Sequence, residues 1–125
     1  MKSKTLKLIS EHDSLILSVM LCTPDTTENI QGILQFSHGM TEHKERYLNA
    51  MKFFTSKGYI CIIHDHRGHG ESVRNQDDLG YFYEDGATGI VEDLHRVSEY
   101  VTDLYPGLPL YLIAHSMGTL AARGY

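Results

Sequence analysis

Three apolar runs, each closing on a loop rich in glycine or histidine, constrain this chain more than any other feature. They are GILQF at 32–36, YICIIH at 59–64 and LPLYLIA at 108–114. The loops that follow them contain SHGMTEH, DHRGHGES and AHSMG. Between the runs the spacing turns helical. Tyr47, Met51 and Phe54, joined by Leu48 and Ala50, predict a helix over 46–57 that Gly58 stops. Ile90, Leu94, Val97, Val101 and Leu104 predict a second helix, ended by Pro106, and a third is expected from Met117. TLKLIS and SLILSVML, with EHD between them, predict an opening β-hairpin. Strand–helix alternation after a hairpin implies an α/β fold: a mostly parallel sheet with flanking helices and YICIIH as a central strand. In open sheets of this kind ligands bind beyond the carboxyl ends of the strands, where these three loops gather.

The chain has 125 residues, enough for one domain with a real core. A formal net charge of −5 argues against nucleic acid as a partner, because that surface needs clustered Lys and Arg. MKSKTLKLIS is basic but lacks the unbroken apolar run of a signal peptide, and no stretch is long enough for an integral membrane segment. Cys22 and Cys61 lack metal-type spacing and read as reduced thiols in a packed interior, which makes the cytoplasm the expected compartment. The sequence leaves the oligomeric state open.

Ser116 is the candidate for chemistry. A serine hydroxyl is a poor nucleophile unless it is exposed, has a base and sits near a trap for the developing oxyanion. A sharp strand-to-helix turn supplies two of these, thrusting the side chain out of the sheet and aiming helix N-terminal amides at the reacting oxygen. Such a turn needs small residues two positions to either side, and here these are Ala114 and Gly118. The alternative for Ser116 is a helix N-cap. The first loop adds to the argument. A His38–Gly39 pair lets the backbone turn so that the amide of Met40 faces the serine and, with that of Met117, forms a two-donor oxyanion hole. His38 itself is expected to brace the loop, and His115, ahead of the serine, to point into neighbouring structure.

HGMTEH followed by RY, then DHRGHGES, GYF, a helix carrying VEDL, YPGLPLYLIAHSMG and LAARGY together resemble the α/β-hydrolase superfamily. The resemblance is to its lysophospholipase and monoacylglycerol-lipase-like branch, grouped with the serine aminopeptidases, and it covers nearly the whole chain. It implies Ser116 as nucleophile, Met40 and Met117 as oxyanion amides, a small-molecule ester or lipid as substrate and no cofactor. The family usually carries glycine where this chain has Ala114.

His64, His66 and His69 also have H-x-H-x-x-H spacing, as in metallo-β-lactamase-like hydrolases. That pattern wants an aspartate before the third histidine, where this chain has Gly68, and Arg67 in the middle would oppose a dication. In the serine-hydrolase reading the stretch is a turn in which Asp65 and Arg67 pair.

An activated serine also needs a histidine and an orienting acid, which follow the serine in this fold. The nine residues after Ser116, MGTLAARGY, include neither. Residues 1–125 are therefore expected to be the N-terminal half of an α/β-hydrolase domain, without its cap and later strands and with little esterase activity alone. A non-catalytic remnant or binding module of the same fold is the alternative, and a peptidase is a less favoured enzyme.

Overall fold

A computed structural model describes residues 1–10, 14–26, 28–38, 44–73 and 86–114. The opening hairpin consists of β1 (Lys2–Ile9) and β2 (Ile16–Thr23), antiparallel, with Lys2 opposite Thr23 and Ile9 opposite Ile16. There follow β3 (Gly32–Ser37), a 3₁₀ turn (Lys44–Tyr47) running into α1 (Leu48–Ser56), β4 (Tyr59–His64), α2 (Gly86–Leu104) and β5 (Leu110–Ala114). The sheet order is β1-β2-β4-β3-β5. β2 pairs antiparallel with β4, whereas β3 lies parallel to both β4 and β5. As expected from the sequence, the antiparallel hairpin is followed by strands that run parallel, β4-β3-β5.

The continuous apolar character of β4 has a direct cause. Side chains of a strand alternate between faces, and both faces of β4 are covered. Ile60 and Ile62 join Leu8, Val19, Leu21 and Ile33 beneath Val97 and Val101 of α2. Cys61 and Ile63 join Met20, Cys22, Leu34 and Phe36 against Met51 of α1. A buried amide stands in the middle of this apolar layer. Gln35 of β3 is fully buried, and its amide donates to the Leu94 carbonyl at 3.1 Å while its carbonyl oxygen accepts from the Ser98 hydroxyl. Both ends of the amide are therefore satisfied by α2, as a buried amide requires.

Gly58 ends α1 at φ +92°, and a Cβ there would also lie 3.2 Å from the Asn29 carbonyl oxygen. Leu104 departs from expectation. It continues the heptad-like spacing of α2 but is 46% exposed, because the helix stops there and the chain turns away through Pro106 and Gly107. β5 begins at Leu110 rather than Leu108. Pro109 has no N–H to give to a sheet ladder and contributes only its carbonyl, which accepts from Ile33 N at 2.8 Å. The EHD turn and the helix expected from Met117 lie outside the described residues.

Candidate active site

The parallel strands β3, β4 and β5 deliver their carboxyl ends to one edge of the sheet. Ser37 of β3 is in register with Ala114 of β5, and Phe36 with Ile63 of β4. The segments bearing Met40 and Ser116 consequently leave the sheet from neighbouring strands, three residues after Ser37 and two after Ala114. His38 and Ala114 are described. Gly39, Met40, His115, Ser116, Met117 and Gly118 lie outside the described residues.

Beneath these strand ends sits a cluster of four buried imidazoles. The His66 backbone N–H donates to His38 Nε2 at 2.8 Å, so the proton of neutral His38 resides on Nδ1. His66 Nε2 shares a 2.9 Å hydrogen bond with the Ser37 hydroxyl. The ring centroids of His38 and His66 are 4.5 Å apart, those of His38 and His69 5.3 Å, and those of His64 and His66 5.0 Å. His69 Nδ1–H donates to the Arg67 carbonyl at 3.2 Å. Among the described residues, neither ring nitrogen of His64 nor Nδ1 of His66 has a hydrogen-bond partner. Burial pushes the His64 pKa down to about 3, helped by the charge interactions with His38 and Arg67. Burial also holds His66 well below the ordinary imidazole value, with His64, His38 and His69 adding to the effect. These two rings are neutral at physiological pH and poorly suited to receive a proton. Among the described residues no three His, Cys, Asp or Glu side chains converge as a metal-ligand set.

The DHRGHGES loop is folded by two separate buried ion pairs, and Asp65 does not pair with Arg67. Asp65 accepts from Lys44 N at 2.7 Å, Lys44 Nζ at 2.9 Å and Glu71 N at 3.0 Å. Arg67 instead turns to α2, where its Nε and Nη2 meet the two Asp93 carboxylate oxygens at 2.8 and 3.1 Å. Arg67 Nη2 also donates to Ser10 Oγ at 3.1 Å. A guanidinium with no exposed surface needs an equally buried bidentate partner, and Asp93 is one whereas Asp65 is already saturated by three donors. Two glycines make room. A Cβ on Gly70, whose φ is +51°, would overlap the Asp65 carboxylate, and a Cβ on Gly89 would come within 2.7 Å of Arg67 Cζ. Ser72 secures the loop to β2, its hydroxyl accepting from Ser18 N at 2.9 Å.

Lys44, Asp93, Ser10 and Gly89 were not legible as site residues. Asp93 did leave a signal, because it falls between Ile90 and Leu94 on the apolar stripe of α2, where a charge has to have a partner. Lys44 left none. Burial pulls its pKa down, but the hydrogen bonds its ammonium donates to Glu45, Asp65 and Glu71 outweigh that and raise it. A cleft of about 510 Å³ lined by Pro24, Asn29, Lys52 and Gly58 opens at the opposite end of the sheet, away from the strand ends described above.

The sequence of residues 28–125 matches the family model described as serine aminopeptidase, S33. The chain belongs to this family of α/β-hydrolases. Its relatives include a monoglyceride lipase homolog of Monkeypox virus, 33% identical over 91 residues, with 70% of this chain and 30% of that protein covered. A monoacylglycerol lipase of Mycolicibacterium smegmatis is 33% identical over 96 residues, covering 77% of this chain and 32% of that protein. Among solved structures, a thermostable carboxyl esterase from Bacillus coagulans superposes with a TM-score of 0.86 at 32% identity, over 100% of this chain and 40% of its own. The S33-family chain thus spans about a third of the length of the curated relatives it matches. The five-stranded sheet with α1 and α2 on its two faces is the corresponding part of the α/β-hydrolase fold.

Proposed function

We propose that this chain carries the nucleophile and oxyanion site of a serine hydrolase acting on lipid-type carboxylic esters, a monoacylglycerol or a lysophospholipid. The observation that carries the reading is the pairing of β3 with β5. Ser37 and Ala114, the in-register ends of these strands, precede Met40 by three and Ser116 by two positions, which supports a nucleophile and an oxyanion donor side by side. Family membership and relatives named monoacylglycerol lipase, monoglyceride lipase and probable lysophospholipase support the substrate class.

In this reading Ser116 Oγ attacks the ester carbonyl carbon and its proton passes to a general base. The carbonyl oxygen becomes an oxyanion held by the Met40 and Met117 amides. Collapse expels the alcohol, which takes the proton, and water then hydrolyses the acyl-enzyme. Neither His64 nor His66 serves as the base, given their burial and lowered basicity. Residues 117–125 contain no histidine or acid, so the 125 residues by themselves turn over esters slowly or not at all. Loss of triad members costs on the order of 10⁴–10⁶ in rate. The two free buried cysteines support a reducing, cytoplasmic setting. Among the described residues no helix is long and apolar enough to cross a membrane.

The test is covalent labelling with a fluorophosphonate, read by mass on the peptide containing Ser116, with Ser116→Ala as control. In a chain that also supplies the histidine and acid, an adduct at Ser116 is expected. Rapid ester turnover by the 125-residue chain that survives Ser116→Ala would refute the assignment.

A further inference from the structure

Cys22 of β2 and Cys61 of β4 stand directly opposite each other on neighbouring antiparallel strands. Residues so placed share a face of the sheet, and both thiols lie with Met20, Leu34, Phe36 and Ile63 in the layer under α1. Both are free and have no exposed surface. The ladder fixes the kind of pairing. One step beyond Val19 and His64, Asp65 N donates to Ser18 O at 3.0 Å, and hydrogen-bonded pairs recur at every second residue. Cys22 and Cys61 come four residues along each strand from Ser18 and Asp65, so they too form a hydrogen-bonded pair. The α-carbons of such a pair lie about 5.5 Å apart, well inside the range of about 4.4–6.8 Å that a disulfide spans. We infer that Cys22 and Cys61 are a redox pair: thiols in a reducing setting and, under a disulfide oxidant, a cross-strand bond that clips the opening hairpin to the central strand β4.

The surroundings leave the sulfurs free to turn toward each other. Cys22 Sγ donates to Ser3 Oγ at 3.8 Å and Cys61 Sγ to the Met51 carbonyl at 3.8 Å. Both are long contacts from a weak donor, so little is lost when they break. Met20 and Met51 share the layer, and their unbranched thioether side chains refill space readily. The bond carries strain. The β-carbons of a hydrogen-bonded pair stand about 5.5 Å apart, against about 3.5–4.5 Å in a relaxed disulfide, so the strands must draw together. Strained disulfides are reduced easily, which suits a bond that opens and closes with the redox state better than a permanent staple. Burial raises the pKa of both thiols, that of Cys61 to about 12, so exchange proceeds when the layer under α1 opens. With glutathione disulfide as oxidant the step balances. One cysteine thiolate attacks it and expels a glutathione thiolate, which takes up the proton the cysteine lost. The second cysteine attacks the protein sulfur of the mixed disulfide and expels the other glutathione in the same way. Two electrons and two protons thus pass from the cysteines to glutathione, and two glutathione thiols leave.

The redox pair stands independently of the reading of Ser116, and its test is one of equilibrium, so slow access to the thiols does not obscure it. The 125-residue chain is equilibrated with reduced and oxidised glutathione, once in native buffer and once in urea above its unfolding transition. It is then alkylated, digested and mapped by mass. The expected product is an internal Cys22–Cys61 disulfide. It should be half formed in native buffer at a value of [GSH]²/[GSSG] at least about tenfold higher than in urea, because the fold holds the two residues together and the unfolded chain does not. By linkage the bond must favour folding by the same factor, so the oxidised chain should unfold at higher urea than the reduced one. A native midpoint equal to or below that in urea overturns the inference. An oxidised chain that unfolds at lower urea than the reduced chain overturns it as well, because the strain would then exceed what the closed loop contributes. Glutathione adducts or linked dimers in place of the internal bond overturn it too.

Discussion

Gly89→Ala sets two physical effects of opposite sign against each other. On helix propensity alone the change should stabilise α2 by about 1 kcal/mol, because alanine loses less backbone freedom than glycine. The surroundings say otherwise. The new Cβ would lie 2.7 Å from Arg67 Cζ, 2.7 Å from Nε and 2.9 Å from Nη1, all closer than carbon and nitrogen tolerate. A surface arginine would swing aside, but Arg67 has no exposed surface and is held by Asp93 and Ser10. Moving it away strands a buried carboxylate, and breaking a buried pair in this way costs about 3–5 kcal/mol. The net expectation is a loss of about 2–4 kcal/mol, a large share of a typical domain's stability. Urea unfolding followed by circular dichroism should show a lower midpoint with an unchanged m-value. The sign should reverse in an Arg67→Ala background, where the methyl has space and the propensity term of about 1 kcal/mol stands alone. A Gly89→Ala chain as stable as wild type, or the same loss in both backgrounds, would refute the reasoning.

The histidine cluster predicts acid sensitivity. His64 titrates at about 3 in the folded chain against 6.5 as its ordinary value, so between these limits the unfolded chain takes up a proton that the folded one refuses. Stability present above pH 6.5 is then lost as pH falls toward 3, by about 1.4 kcal/mol per pH unit, with His66 adding to the slope. Urea midpoints between neutral and mildly acid pH should fall less steeply in His64→Leu, and equal slopes in the two chains would count against the idea. Cys61 sits directly across β2–β4 from Cys22, and burial lifts its pKa to about 12. Alkylation by iodoacetamide should therefore track unfolding and accelerate in denaturant, whereas prompt modification of the native chain would show the thiols to be accessible.

What the sequence disclosed was whatever depends on period and local chemistry. Alternation and helical spacing placed all five strands and both described helices, because each apolar residue of β4 and α2 must meet a covering layer. Gly58 marked the end of α1 because only a left-handed residue fits there. What stayed hidden was partner choice among charges. Asp65 and Arg67 stand two residues apart, which suggested an ion pair, but the backbone turns between them and each finds a partner 21 or 26 positions away. Nothing local distinguishes Lys44 from the solvated lysines of β1, since its burial is created by a loop contributed from beyond β4.

The distribution of buried polarity gives the sheet a direction. Among the described residues fifteen polar or charged side chains are buried, and nine of them belong to the described parts of 37–44 and 64–72, at the carboxyl ends of β3 and β4. Burying such groups costs stability even when they are paired, and three ring nitrogens here find no partner among the described residues. The middle of the sheet shows how little of this the fold needs, since Ile33, Ile60 and Ile62 close the core with dispersion and desolvation alone. A chain selected only to fold would carry apolar side chains through to the strand ends. Concentrating its costly interactions at the two loops that flank the Met40 segment makes sense if backbone placement there matters more than the energy it consumes. That is the condition under which a preorganised oxyanion site would be kept.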